Sequence, residues 1–78
     1  MFEEAALQSE VRSEIAGLIW KVVASVGQSV AEDEQLVIIE SMKMEIPVLA
    51  PKKGLVREIR VKEGDEIAEG QILVVLTH

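Results

Sequence analysis

The chain has 78 residues, a formal net charge of −6, 49% hydrophobic but only 3% aromatic residues, and no cysteine. This length predicts a single domain, and the lack of cysteine excludes disulfides and Cys-ligated zinc. The acidic charge argues against nucleic acid or an anionic membrane as a partner.

The first ten residues are predicted to form a polar, flexible leader with weak helical character, followed by one domain over residues 11–78. The acidic start does not resemble a secretory signal or an Arg-rich transit peptide. No apolar run approaches the ~20 residues that a transmembrane helix needs. We therefore expect a cytoplasmic protein that is monomeric in isolation.

From Val11 onward, short runs rich in β-branched residues lie between glycines and acidic turn residues, which predicts a β-sandwich or barrel. The runs are residues 18–23, 36–39, 55–61 and 72–76. Pro47 lacks an N–H group and is expected at a strand edge or end. Four glycines are expected to serve turns or close packing. They are Gly17, Gly27, Gly54 and Gly64.

The chain repeats itself at an offset of 37 residues. Residues 17–39 align with residues 54–76 without a gap, and seven of the 23 pairs are identical, where composition alone gives about one or two. One half cannot bury its own apolar face, so two halves facing each other predict a two-layer sandwich with pseudo-twofold symmetry. Trp20 aligns with Arg57, and both are expected on sheet faces, where packing of Trp20 on a partner stays open.

The segment 40–47 lies at the junction of the two halves and is a natural place for a projecting hairpin. Its Glu, Met and Lys residues favour a helix, and residues 37–45 read alone could form a short one. The flanking strands and Pro47 favour extended chain instead. A tight turn of Met and Lys holds its backbone in a costly conformation, and such conflicts are common at functional sites.

Lys43 lies between Met42 and Met44 in this segment, which leaves two interpretations open. One is a solvated lysine between two core methionines. The other is a lysine on a rigid tip whose adaptable apolar neighbours help to present it to the active site of another protein.

The sequence Glu40-Ser41-Met42-Lys43-Met44-Glu45 resembles the biotin-attachment motif of biotinyl domains, Glu-Ala-Met-Lys-Met. Further matches are Val48-Leu49-Ala50-Pro51 with Gly54, then Gly64-Asp65 and Glu69-Gly70. The resemblance covers residues 11–77. It implies an all-β fold, a flattened eight-stranded barrel-sandwich hybrid with pseudo-twofold symmetry and the modified lysine on an exposed hairpin far from the termini.

The resemblance implies that Lys43 carries biotin through an amide bond. Met42 and Met44 would assist recognition by a biotin-protein ligase and by the carboxylase, Glu40 would help the ligase to choose this hairpin, and Glu45 belongs to the same motif. Ser41 replaces the commoner alanine. The implied function is a non-catalytic biotin carboxyl carrier that shuttles a carboxyl group between a biotin carboxylase and a carboxyltransferase of an acetyl-CoA or other acyl-CoA carboxylase in fatty acid biosynthesis.

Two alternatives stay open at this point. A lipoyl carrier uses the same fold, but its hairpin usually reads Asp-Lys-Ala, and a domain of this kind could accept both cofactors. An unmodified interaction module is the other. An enzyme is disfavoured because His78, the only histidine, is expected to be inert, which leaves no Ser–His or Cys–His nucleophile pair and no His-based metal site.

Overall fold

The structure is a computed structural model and describes residues 7–78. This part of the chain contains eight short strands. The strands are β1 Gln8–Arg12, β2 Gly17–Val22, β3 Ser29–Val30, β4 Gln35–Ser41, β5 Met44–Leu49, β6 Gly54–Ile59, β7 Glu66–Ile67 and β8 Ile72–Thr77. Within these residues, no helix has the length and apolar character that crossing a bilayer requires.

The strands form two antiparallel sheets of four. The first, which we call the terminal sheet, has the order β1-β8-β6-β3, and the second, the hairpin sheet, has the order β5-β4-β2-β7. The two sheets stack as layers and do not close into a barrel. The predicted all-β, eight-stranded sandwich is therefore confirmed.

The 37-residue repeat relates one sheet to the other strand by strand. Adding or subtracting 37 carries β1 onto β5, β8 onto β4, β6 onto β2 and β3 onto β7. Matching backbone hydrogen bonds follow: the Asp33 N–H donates to the Ala50 carbonyl at 2.9 Å, and the Gly70 N–H donates to the Ser13 carbonyl at 2.7 Å. The predicted pseudo-twofold symmetry is confirmed, and it extends to β1 and β5, beyond the repeat found in the sequence.

The core receives equal contributions from the two halves. The largest fully buried side chains form four repeat pairs. Burial of each of these side chains stabilises the fold by about 1.5–3 kcal/mol. The pairs are Ile19 with Val56, Leu36 with Leu73, Val37 with Val74, and Ile39 with Leu76. Each pair takes one member from each sheet, so neither half buries its apolar face without the other.

Matched β-bulges interrupt β2 and β6. The register shifts between Ile19 and Lys21 where β2 meets β4, and between Val56 and Glu58 where β6 meets β8. Trp20 and Arg57 are therefore the extra, unpaired residues, and the bulges increase the local twist of their strands.

The predicted leader, residues 1–10, needs a correction at its end. Gln8, Ser9 and Glu10 belong to β1 and pair with residues of β8, so strand structure starts three residues before the predicted boundary at Val11. The pairing is favourable because β1 covers the edge of β8. The predicted flexibility of residues 1–6 lies outside the described residues.

His78 also departs from expectation. Its backbone N–H donates to the Leu7 carbonyl at 2.7 Å, its Nδ1 lies 2.7 Å from the Lys53 carbonyl oxygen and its Nε2 lies 2.6 Å from the Ser9 hydroxyl. Because a carbonyl only accepts, Nδ1 donates to the Lys53 carbonyl oxygen, and Nε2 shares a hydrogen bond with the Ser9 hydroxyl. The expectation of an inert histidine was wrong: His78 holds the ends of β1, β8 and the loop before β6 together.

Candidate functional site

A two-residue turn joins β4 to β5 at the junction of the two halves. Ser41 pairs with Met44, which leaves Met42 and Lys43 as the loop, with φ angles of 53° and 66°. Positive φ at both central residues is the requirement of a type I′ hairpin turn. The predicted hairpin is confirmed, and the local preference for a helix is overridden by the pairing of the two strands.

The turn holds its backbone in a conformation that neither Met42 nor Lys43 favours. A non-glycine residue in the left-handed region costs about 1–2 kcal/mol, and only Asp33 shares this feature among the non-glycine residues described. The β4–β5 ladder supports the turn, because Ile39 pairs with Ile46 and is buried in the core. The conflict between local preference and fold therefore falls at the predicted position.

The side chains of the tip face solvent. Met42 is 88% exposed and Met44 58% exposed, and Lys43 is exposed between them. The interpretation with two core methionines is therefore wrong. None of the ion pairs found among residues 7–78 involves Lys43. Its Nζ is accessible from outside the domain, which is what the attachment of a group to this nitrogen requires.

Two carboxylates face each other below the tip. Glu40 pairs with Glu45 across the two strands, and both side chains are exposed. Like charges at directly opposed positions destabilise a sheet by about 0.2–1 kcal/mol. We call these two residues the acidic pair. The acidic pair places two negative charges on the hairpin close to the turn.

Gly17 allows the start of β2 to lie very close to the end of β4, where the hairpin begins. A Cβ on Gly17 would lie 2.6 Å from the Glu40 carbonyl oxygen, and a Cβ on Gly54 would lie 2.6 Å from the Thr77 carbonyl oxygen at the matching place. Both positions therefore require glycine for close approach. Gly27 and Gly64 have φ angles of 90° and 91° in turns. The predicted roles of these four glycines are confirmed.

The tip lies at the opposite end of the sandwich from Leu7 and His78. Leu7 and His78, which hydrogen-bond to each other, are the repeat equivalents of Met44 and Ser41. From Gln8, β1 runs the length of the sandwich, and the chain then reaches Gly17 beside Glu40. The hairpin is therefore remote from both Leu7 and His78. No group of three or more His, Cys, Asp or Glu side chains suited to a metal ion occurs among the described residues.

The fold and the hairpin define a small all-β domain that presents one lysine on an exposed two-residue turn. Residues 8–76 match the Biotin_lipoyl family, described as biotin-requiring enzyme. The "Biotin/lipoyl attachment protein" of Bacillus subtilis is 41% identical over 68 residues, covering 87% of this chain and 93% of that relative. The "Biotinylated protein TB7.3 homolog" of Mycobacterium leprae is 41% identical over 71 residues, covering 91% and 100%.

A solved structure agrees with these relatives. The urea carboxylase of Kluyveromyces lactis superposes with a TM-score of 0.85 and 39% identity, covering 88% of this chain but only 6% of that chain. The chain therefore belongs to the biotin/lipoyl attachment family. Membership confirms the resemblance found in the sequence, and covalently attached biotin is the cofactor that it indicates.

The predicted motif residues fall together on the hairpin. Glu40 and Ser41 end β4, Met42 and Lys43 form the turn, and Met44 and Glu45 begin β5. Two features were missed in the sequence. The contact of Ser9 with His78 joins residues 69 positions apart. The equivalence of β1 with β5 was missed because the two strands share almost no identical residues.

Proposed function

We propose that this chain is a biotin carboxyl carrier, with biotin attached to Lys43 as an amide, and that it shuttles a carboxyl group between a biotin carboxylase and a carboxyltransferase. The observation that carries the proposal is the turn itself. Met42 and Lys43 of a Met-Lys-Met sequence that resembles the attachment motif form an exposed two-residue turn, and both have positive φ.

The choice of Lys43 rests on its position, because exposure alone does not distinguish it. All five lysines are exposed, and the other four are Lys21, Lys52, Lys53 and Lys62. Lys43 alone lies in the β4–β5 turn, between two exposed methionines and above the acidic pair. An enzyme that recognises the turn, the exposed methionines and the acidic pair together distinguishes Lys43 from the other four lysines.

The attachment step is an acyl transfer to the Lys43 Nζ. An exposed lysine is protonated at neutral pH, so the amine must first lose a proton. Nζ then attacks the acyl carbon of biotinyl-AMP, which the ligase makes from biotin and ATP. The amide C–N bond forms, the acyl C–O bond to AMP breaks, and AMP leaves. The charge of Lys43 is lost, so the net charge of the chain moves from −6 to about −7.

The other motif residues support recognition. The flexible, polarizable side chains of Met42 and Met44 pack against the different surfaces of a ligase and a carboxylase. Glu40 and Glu45 offer negative charge to cationic groups of those enzymes, and Ser41, half-buried, keeps the place of a small residue at the strand end.

The role of the domain is to position the tethered biotin. Biotin supplies a ureido group that accepts and releases a carboxyl group when bound. The rigid hairpin keeps the tether away from the sandwich, and tethering raises the effective concentration of the group at each active site. The partners are a biotin-protein ligase, a biotin carboxylase and a carboxyltransferase. We propose a cytoplasmic acyl-CoA carboxylase, such as that of acetyl-CoA in fatty acid biosynthesis. A solved structure of a long-chain acyl-CoA carboxylase, which superposes on all of this chain with a TM-score of 0.89 and 28% identity although the match covers only 8% of that chain, supports this class.

Intact mass spectrometry tests the proposal. The chain is incubated with biotin, ATP and a biotin-protein ligase, and we expect the mass of one biotin to be added. Lys43→Arg abolishes the addition, whereas Lys52→Arg, which changes another exposed lysine in the same way, leaves it intact. An unchanged wild-type mass, or addition to Lys43→Arg, contradicts the proposal.

Lipoate attachment is the second candidate function. It is favoured by the family, which includes lipoyl carriers in its name, and by the Bacillus subtilis relative, whose name mentions both groups. Incubation with lipoate, ATP and a lipoate-protein ligase distinguishes the cases. Addition of lipoate alone indicates a lipoyl carrier, and addition of either group to Lys43 indicates a dual attachment protein.

A further inference from the structure

The pseudo-twofold symmetry allows the two outer sheet faces to be compared position by position. On the terminal sheet, Glu10 and Glu58 flank Val75 in register, and each is ion-paired, with Arg12 at 3.0 Å and with Arg60 at 3.1 Å. Val75 lies outside the core cluster and is still only 4% exposed. Val75 is therefore covered by the chain's own charged side chains, whereas Leu55, the repeat equivalent of Leu18, is exposed on β6.

The hairpin sheet lacks this cover. The repeat equivalents of Glu10 and Arg12 are Pro47 and Leu49, and those of Glu58 and Arg60 are Lys21 and Val23. Leu49 and Val23 are exposed, and Ile38, the equivalent of Val75, is half-buried. Where one face carries two ion pairs, the other therefore carries exposed apolar groups and one lysine.

The bulge in β2 adds the largest apolar side chain of this face. Trp20 is 48% exposed, and its equivalent on the terminal sheet is Arg57. Leu18, exposed on the same face, pairs directly with Glu40 at the root of the hairpin. The apolar residues thus form a surface that continues into the hairpin. We call it the tryptophan face, composed of Leu18, Trp20, Val23, Ile38, Pro47 and Leu49.

The charges around the tryptophan face indicate what covers it. Leu18 lies between Glu40 on one side and Glu66 on the other in the register of the sheet, and Glu45 lies beside Glu40. The tip side of the face is therefore acidic. A second copy of this chain, with a net charge of −6, would oppose these carboxylates with its own. A partner protein whose apolar surface is bordered by cationic groups would complement these carboxylates.

We propose that the tryptophan face is the docking surface for the biotin carboxylase subunit, which holds the carrier while the tip enters its active site. The inference rests on the proposed function. A contiguous exposed apolar face marks a protein interface. A ligase acts on the lysine once, whereas the carboxylase must bind the carrier again at every turnover. Trp20, a residue type enriched among interface hot spots, is the anchor.

The test uses matched variants on the two faces, Trp20→Glu and its repeat equivalent Arg57→Glu, both at exposed bulge positions. Each is biotinylated with the ligase, checked by intact mass and unfolding, and then titrated into a purified biotin carboxylase subunit. We expect Trp20→Glu to raise the KM for the biotinylated carrier at least tenfold, in line with loss of a hot spot. Its rate of biotinylation stays within about twofold of wild type, and Arg57→Glu changes neither.

Binding is observed directly through the single tryptophan. With 5-fluorotryptophan at position 20, the ¹⁹F resonance of the biotinylated full chain shifts or broadens on addition of the carboxylase subunit, and addition of ligase to the unmodified chain leaves it unchanged. Unchanged KM for Trp20→Glu, an unperturbed ¹⁹F signal with the carboxylase, or equally slowed biotinylation overturns the proposal, as does a concentration-dependent dimer that Trp20→Glu abolishes. Failure of wild-type biotinylation is distinct, because it overturns the proposed function as well.

Discussion

The Gly17 Cα lies directly against the carbonyl of Glu40, so that a methyl group at position 17 would lie 2.6 Å from that oxygen and 2.9 Å from Ile39 Cγ2. This contact joins the start of β2 to the end of β4, one residue before the strand enters the turn region. The position of the hairpin relative to the rest of the sheet therefore depends on the absence of a side chain.

Gly17→Ala is expected to lower the free energy of unfolding by about 1–3 kcal/mol, because the added methyl group forces β2 away from β4. Gly54→Ala, which places a methyl group against Thr77 at the matching contact, is expected to destabilise by a similar amount. Urea unfolding measures both. Amide exchange separates them: residues of the β4–β5 turn lose protection only in Gly17→Ala, and equal loss in both variants contradicts the assigned contact.

Met42→Gly is expected to stabilise the domain by about 1 kcal/mol, since glycine adopts the positive φ of the turn without steric cost. Met44→Gly is the control, because Met44 lies in a strand, where glycine costs about 0.5–1 kcal/mol. Thermal unfolding gives both values. If Met42→Gly were as destabilising as Met44→Gly, the turn would not be strained.

Glu45→Lys turns the acidic pair into a pair of opposite charges and is expected to raise stability by a few tenths to about 1 kcal/mol. The gain should fall in 1 M NaCl, where charges more than about 3 Å apart are screened. Glu45→Gln removes the repulsion without adding attraction and should give a smaller gain. Comparison of unfolding at low and high salt checks this, and a gain independent of salt rules out the electrostatic explanation.

His78→Ala and Ser9→Ala are each expected to lower the free energy of unfolding by about 0.5–1.5 kcal/mol, the net value of a protein hydrogen bond. The double variant should lose less than the sum of the two, because both single changes remove the same bond. His78→Ala should cost more, since it also removes the contact with the Lys53 carbonyl. Strict additivity in a double-mutant cycle would mean that the two side chains do not interact.

Local pattern was sufficient for the strands, the repeat and the hairpin. Glycine spacing and β-branched runs predict the sandwich, and the gap-free match of residues 17–39 with 54–76 predicts its symmetry. Pro47 and the flanking strands outweigh the helical preference of the junction. These features depend on residues close together in sequence or on a strict repeat, which is why they are visible without a structure.

The remaining features depend on register across strands. Of residues 8–13 and 45–50, only Val11 and Val48 are identical, so the equivalence of β1 and β5 is conformational. The ion pairs of Glu10 and Glu58 join near neighbours, yet their shared cover of Val75 appears only when β1, β8 and β6 are aligned. The exposed tryptophan face follows from the same alignment.

The backbone hydrogen bond between His78 and Leu7 has a consequence for fusion proteins. Leu7 and His78 lie together at the end of the sandwich opposite to Lys43. A protein fused directly after His78 therefore starts at the end away from the lysine. Under the proposed function, the domain is suited to serve as a genetically encoded acceptor for site-specific labelling at the N-terminus of another protein.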